Sequence, residues 1–303
     1  MIHMILSLAF VYVFIALGYS AKKIFRDEMD SKTLTIMSVY FTQPFVAMWG
    51  FSTASLHLEH LKVPLLYLLI IAMLLIPTIL IARVIFDEPK NRAIFSIAGF
   101  VGNTGNIGIP LGIAIFGESS VIYTTLINLS NVFVVYIVGV YIYSRGSFDI
   151  KTSIKNIFKI PIIPVSIIAI ILNTLGLHPT GEFKEFLKMG AYAGIVLQLF
   201  LLGTFLEGIT IKEVHPKLFI GTLSQKFIIV PLLSAVILHF SQLDTTIQAI
   251  ILMEMLTPLA IANINLASLY DCRPKDVTTL ILISTLLFMP IVFVFEYIKT
   301  LYY

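Results

Sequence analysis

Ten stretches of mostly apolar residues run the length of this chain, each close to the ~20 residues that an α-helix needs to cross a bilayer. They cover about 2–21, 33–55, 64–86, 93–116, 121–143, 160–177, 187–208, 216–239, 246–270 and 277–298. The loops between them are short, and no low-complexity tract or soluble domain interrupts the pattern. Composition closes off the soluble alternative. Apolar residues make up 58% of the chain and charged residues 12%, against about 45–50% and about 25% in soluble domains. So few charges cannot coat a water-facing surface, and lipid removes that need.

Loop charge orients the spans. Fifteen of the 20 lysines and arginines lie in or beside the loops that follow the odd-numbered stretches. Positive residues collect on the cytoplasmic side, so both termini are expected outside, in a multi-pass protein of the cell inner or plasma membrane. No lysine or arginine precedes the first stretch, which therefore reads as a retained span and not as a signal peptide. The charges form no continuous basic patch, which argues against nucleic acid as a partner. The one cysteine, Cys272, rules out an intrachain disulfide and any multi-cysteine metal site. No metalloprotease, serine-hydrolase or P-loop signature occurs, so the chain is not expected to be an enzyme or an ATP-driven pump.

Proline spacing indicates an internal repeat. Pro64 and Pro77 recur as Pro216 and Pro231, and Pro110 recurs as Pro258, each offset by roughly 150 residues. Halves of five spans each must enter the membrane in opposite senses, the inverted-repeat plan of many transporters. The expected fold is an all-α polytopic membrane protein. Its ten transmembrane helices form two inverted repeats, about 1–144 and 159–303, within one domain of residues 1–303, with a cytoplasmic linker at 145–158.

The fourth and ninth stretches are poor helices. The fourth contains Gly102-Asn103-Thr104-Gly105-Asn106-Ile107-Gly108-Ile109-Pro110, and the ninth contains Glu254, Thr257, Pro258, Asn263 and Asn265. Glycine costs ~1 kcal/mol and proline ~3 kcal/mol relative to alanine inside a helix. Backbone groups freed by a break find no water in lipid, so such a segment must be buried in protein or line a cavity. Two helices broken near the midplane would aim free amides at an anion and free carbonyls, with Asn and Thr oxygens, at a cation. Close helix packing through small and polar residues is the structural alternative. Asn103, Thr104, Asn106, Pro110, Thr257, Pro258, Asn263 and Asn265 are the candidate substrate-binding residues.

Two charges fall deep inside spans, Lys226 in the eighth and Glu254 in the ninth. Intramembrane charges face cavities or partners because lipid exposure is costly. Lys226 is a candidate for holding a substrate anion or coupling a proton, and Glu254 for a cation or proton site. A purely structural Lys226–Glu254 ion pair is the alternative. Gln43, Asn128 and Gln198 are secondary polar candidates.

The chain resembles the auxin efflux carrier family, the bacterial relatives of the plant auxin exporters, along its whole length. The resemblance rests on residues 102–110, on Pro161-Ile162-Ile163-Pro164, on Leu201-Leu202-Gly203 and on Thr257-Pro258. It implies the bile-acid/sodium symporter fold. Spans one, two, six and seven would form a scaffold, the other six a transport core, and the crossover of spans four and nine the substrate site. It also implies a homodimer through the scaffold and a small organic anion, carboxylate or auxin-like, as substrate. In the symporter relatives an acidic residue just before the span-nine break helps bind sodium. Glu254 sits in a similar place, and Asn103 and Thr104 are candidates for further oxygens. Sodium, a proton or no coupling ion all stay open, and no other cofactor is expected. A sodium/organic-anion symporter, a channel and a non-transporting membrane receptor are the rival functions.

Overall fold

The computed structural model describes residues 2–53, 61–147, 149, 151, 152, 155, 159–207 and 214–302. Of the expected linker 145–158, residues 148, 150, 153, 154 and 156–158 lie outside the described residues. The described chain is helical, and its one β-type feature is an isolated bridge between Gly102 and Leu259. The helices are α1 (Ile2–Phe25), α2 (Ser31–Ile36), α3 (Gln43–Thr53), α4 (Lys62–Ile85), α5 (Pro89–Ile97), α6 (Ile109–Phe116), α7 (Val121–Phe133) and α8 (Val140–Arg145). They continue as α9 (Ile162–Thr174), α10 (Gly181–Thr204), α11 (Pro216–Ser224), α12 (Val230–His239), α13 (Thr245–Leu256), α14 (Ala262–Leu269) and α15 (Pro274–Tyr302).

Five helical runs among the described residues are long and apolar enough to cross a membrane: Lys62–Ile85, Ile122–Arg145, Gly181–Thr204, Pro216–His239 and Pro274–Lys299. They coincide with expected stretches three, five, seven, eight and ten. The expected stretch 160–177 is shorter as a helix, 13 residues over Ile162–Thr174. It is followed by Gly176 at φ +71°, a left-handed conformation that glycine adopts without steric cost and that commonly ends a helix.

Among the described residues four π turns interrupt the helices: Met37–Thr42, Thr104–Gly108, Val134–Gly139 and Gln225–Ile229. Three of them end two residues before a proline, namely Pro44, Pro110 and Pro231. A proline ring clashes with the carbonyl four residues back and donates no hydrogen bond. Those carbonyls belong to Tyr40, Asn106 and Phe227, all inside π turns. The wider turn gives the ring room while the chain keeps its direction.

Helix starts follow local chemistry. The Asp30 carboxylate accepts from the amides of Lys32 (3.0 Å) and Thr33 (3.1 Å) and so caps α2. Asp244 accepts from the Thr246 amide at 2.8 Å and caps α13. Pro89 and Pro216 occupy first helical positions, where the missing N–H is no loss.

The helices α1, α2, α3, α9 and α10 pack on one another. The closest crossing joins α1 to α10. A Cβ on Gly18 would overlap the Phe200 carbonyl, and one on Gly203 would overlap the Ile15 carbonyl. Small residues let membrane helices approach backbone to backbone, where dispersion replaces the absent hydrophobic drive. Edge-on packing of Phe45 on Phe186 at 5.4 Å joins α3 to α10. The remaining helices form the larger cluster that surrounds the two interrupted segments.

Candidate functional site

Both poor helices break. The first helix ends at Ile97 and resumes at Thr104; the second ends at Leu256 and resumes at Ala262. The two gaps lie side by side and satisfy each other's backbone. The Asn103 amide donates to the Pro258 carbonyl at 2.8 Å, and the Ala260 amide donates to the Val101 carbonyl at 2.8 Å. Side chains take up further freed groups. Asn131 Nδ2 donates to the Gly102 carbonyl at 2.8 Å, and the Leu259 amide donates to Ser284 Oγ at 3.1 Å. The Thr257 hydroxyl turns back onto the Glu254 carbonyl at 2.7 Å and closes the end of α13. An unmet backbone group in this setting costs several kcal/mol, so these contacts permit the break.

One end is left open. The amides of Thr104, Gly105 and Asn106, which begin the second half-helix, make no hydrogen bond among the described residues. A helix N-terminus with free amides carries a partial positive charge.

The two intramembrane charges reach this crossover from separate helices. Lys226 is 1% exposed and Glu254 0%. A Cβ on Gly102 would lie 3.1 Å from Lys226 Nζ, 2.5 Å from Thr257 Oγ1 and 3.4 Å from the Glu254 carbonyl. The ammonium therefore sits against the break, beside the carbonyl end of α13, where the helix dipole favours positive charge. A Cβ on Gly108 would overlap the Glu254 carboxylate. The carboxylate thus rests directly on the π turn Thr104–Gly108, and any larger residue at 108 would displace it. Both carboxylate oxygens are buried without a hydrogen-bond partner. Lys226 and Glu254 make no direct ion pair: the ion pairs within 4.0 Å among the described residues are Lys90–Asp271, Lys188–Glu185, Arg273–Glu88 and Arg273–Asp276.

The expected site residues fall into three groups. Asn103 is buried and Asn106 half-buried, and neither side chain is committed to a hydrogen bond among the described residues. Thr104, Thr257, Pro258 and Asn263 build the crossover itself. Thr104 Oγ1 donates to Asn128 Oδ1 at 2.9 Å and accepts from Asn131 Nδ2 at 3.1 Å. Asn263 accepts from the Tyr143 hydroxyl at 3.1 Å and donates to the Ala260 carbonyl at 3.1 Å. Asn265 points elsewhere, donating to Ser38 Oγ on the π turn after α2 at 3.4 Å. Pro110 lies in α6, and its side chain is outside the described residues.

Four supporting residues were not among the candidates: Asn131, Tyr67, Tyr143 and Ser284. Asn131 is central, since it holds Gly102 and Thr104 while its Oδ1 accepts from the Tyr67 hydroxyl at 3.2 Å. Asn128 and Asn131 stand three residues apart in an apolar helix, and so on one face; that spacing was the available signal.

Among the described residues no group of three or more His, Cys, Asp or Glu side chains could hold a metal ion.

The sequence matches the profile of the membrane transport protein family over residues 3–296. It is also similar to an uncharacterized transporter of Methanocaldococcus jannaschii, at 26% identity over 289 residues, which cover 91% of this chain and 92% of the relative.

Proposed function

The chain belongs to the membrane transport protein family, that of the auxin efflux carriers, and from that premise we propose that it is a secondary transporter moving a small organic anion by alternating access. The reading rests on one observation. A buried ammonium, Lys226, lies against a helix break with no carboxylate in direct contact, and the neighbouring half-helix opens with unused amides. An ammonium in low dielectric calls for a counter-charge, and a carboxylate substrate supplies one. Asn103 and Asn106, with uncommitted amide groups, would orient it; Thr104, Thr257, Pro258 and Asn263 would hold the frame.

In this proposal the fold is the ten-span, two-repeat plan over residues 1–303 with both termini outside. The helices α1, α2, α3, α9 and α10 act as the scaffold of a homodimer, and the rest as the moving core. Glu254 is the coupling residue. Its unpartnered oxygens favour a bound cation, sodium or proton, whose charge would come and go with the carboxylate's neutralisation.

The test is flux of small carboxylates into liposomes under a sodium gradient at constant pH, then under a pH gradient without sodium. Saturable uptake driven by one gradient is expected, with Glu254→Gln losing the drive. Single-channel currents, or no carboxylate flux under any condition, would overturn the proposal.

A further inference from the structure

Away from the crossover, at the lysine- and arginine-rich end of the helices, a cavity of about 310 Å³ opens between α4, α5 and α8. Three arginines line it, Arg83, Arg92 and Arg145, together with the hydroxyl-bearing Ser96 and Tyr141. Its volume is at the lower end for a ligand pocket and suits a headgroup-sized anion.

The chemistry of the lining is specific. Arg92 is half-buried and held in place, because its Nε donates to the Phe86 carbonyl at 2.5 Å, and it lines the cavity. Arg83 is exposed and makes no ion pair among the described residues. Ser96 is buried, and neither its hydroxyl nor that of Tyr141 makes a hydrogen bond among the described residues. Pro89 brings the N-terminal end of α5 to the same cavity. Of the nearby acids, Glu88 is engaged by Arg273 at 2.9 Å, Asp149 lies in the field of Arg145, and Asp87 is exposed. The binding argument therefore rests on Arg83 and Arg92. Leu80 and Val84 of α4, next in sequence to the lining residues Ile79 and Arg83, are exposed apolar side chains.

Positive charge at this end would serve topology by itself. Topology does not require a cavity lined by guanidinium groups, a guanidinium clamped in place, or hydroxyl-bearing residues in the same lining. Guanidinium forks match phosphate oxygens in pairs, and basic pockets between membrane helices bind lipid headgroups. We infer that the Arg83–Arg92 pocket is a binding site for a phosphate oxyanion. The anion is carried either by an acidic phospholipid, whose acyl chains would lie along Leu80 and Val84, or by a soluble phosphate.

The experiment has two arms on the full-length protein in detergent. In the first, native mass spectrometry follows retention of dioleoyl phosphatidylglycerol against dioleoyl phosphatidylcholine. In the second, thermal unfolding is followed with inorganic phosphate against chloride at equal ionic strength. Arg83→Gln should weaken binding about tenfold, as expected for loss of a charge-assisted contact, while Lys32→Gln, an exposed charge at the same end, should not. Ser96→Leu fills the cavity without changing charge and should also abolish binding. Preferential phosphatidylglycerol retention assigns the lipid source, and phosphate stabilisation alone assigns the soluble source. Equal loss with Lys32→Gln, or binding in either arm that is indifferent to both Arg83→Gln and Ser96→Leu, would overturn the inference, as would no preference in either arm.

Discussion

Lys226 and Glu254 are both buried at the same crossover, yet their charged ends are held apart, the ammonium against Gly102 and the carboxylate against Gly108. Two opposite charges in low dielectric would gain most by touching. Keeping them on different turns of one broken segment leaves each able to meet a ligand.

That separation predicts how Lys226→Met behaves. Removing one partner of a direct buried pair costs ~3–5 kcal/mol. Here the variant removes a desolvated charge that has no direct partner. Its melting temperature should stay within about 4 °C of wild type or rise, while carboxylate binding falls at least tenfold. A large loss of stability, rescued by Lys226→Met/Glu254→Gln, would show that the pair is structural.

Gly108→Ala should be disabling through sterics alone. The new methyl overlaps the Glu254 carboxylate, and overpacking of this kind costs ~1–3 kcal/mol. Gly108→Ala/Glu254→Ala should recover most of that stability without recovering transport. The coupling would be read from thermal unfolding of all four members of the double-mutant cycle.

Asn131→Leu should destabilise the protein more than Asn128→Leu. The first strands the Gly102 carbonyl and loosens Thr104 and Tyr67; the second removes one partner of Thr104. A buried polar group left unmet costs ~1–3 kcal/mol. Denaturation in detergent and the yield of folded protein would both rank the two variants. Equal effects would mean that Asn131 does not hold the break.

Cys272 should resist water-soluble maleimides. It is fully buried in the loop between α14 and α15, its Sγ lies 3.7 Å from the Lys90 carbonyl, and burial pushes its thiol up to about 12. Only the thiolate reacts, so labelling at pH 7.5 should be slow and should quicken as pH rises. Arg273→Gln removes the contacts to Glu88 (2.9 Å) and Asn91 (2.8 Å) that pin this loop and should speed labelling of otherwise folded protein. Fast labelling of the wild type would contradict the burial.

The sequence alone determined that the chain lives in lipid, where its main spans run and which two of them are poor helices. These are one-dimensional properties: hydropathy, charge asymmetry between loops, and the presence of glycine and proline where a helix needs neither. The positions of Lys226 and Glu254 inside spans were equally readable. What the tertiary structure decided is which partner meets each group released by a break. Asn131, Tyr67, Tyr143 and Ser284 come from helices distant in sequence, and nothing in their own stretches says whose carbonyl or hydroxyl they will reach. The gap between Lys226 and Glu254 was also hidden, because it depends on the glycine against which each side chain packs. Asn265 is the same case in reverse: it shares the vocabulary of the crossover, but α14 turns it toward Ser38. Helical periodicity assigns a residue to a face; the neighbour that covers the face is settled only when the helices dock.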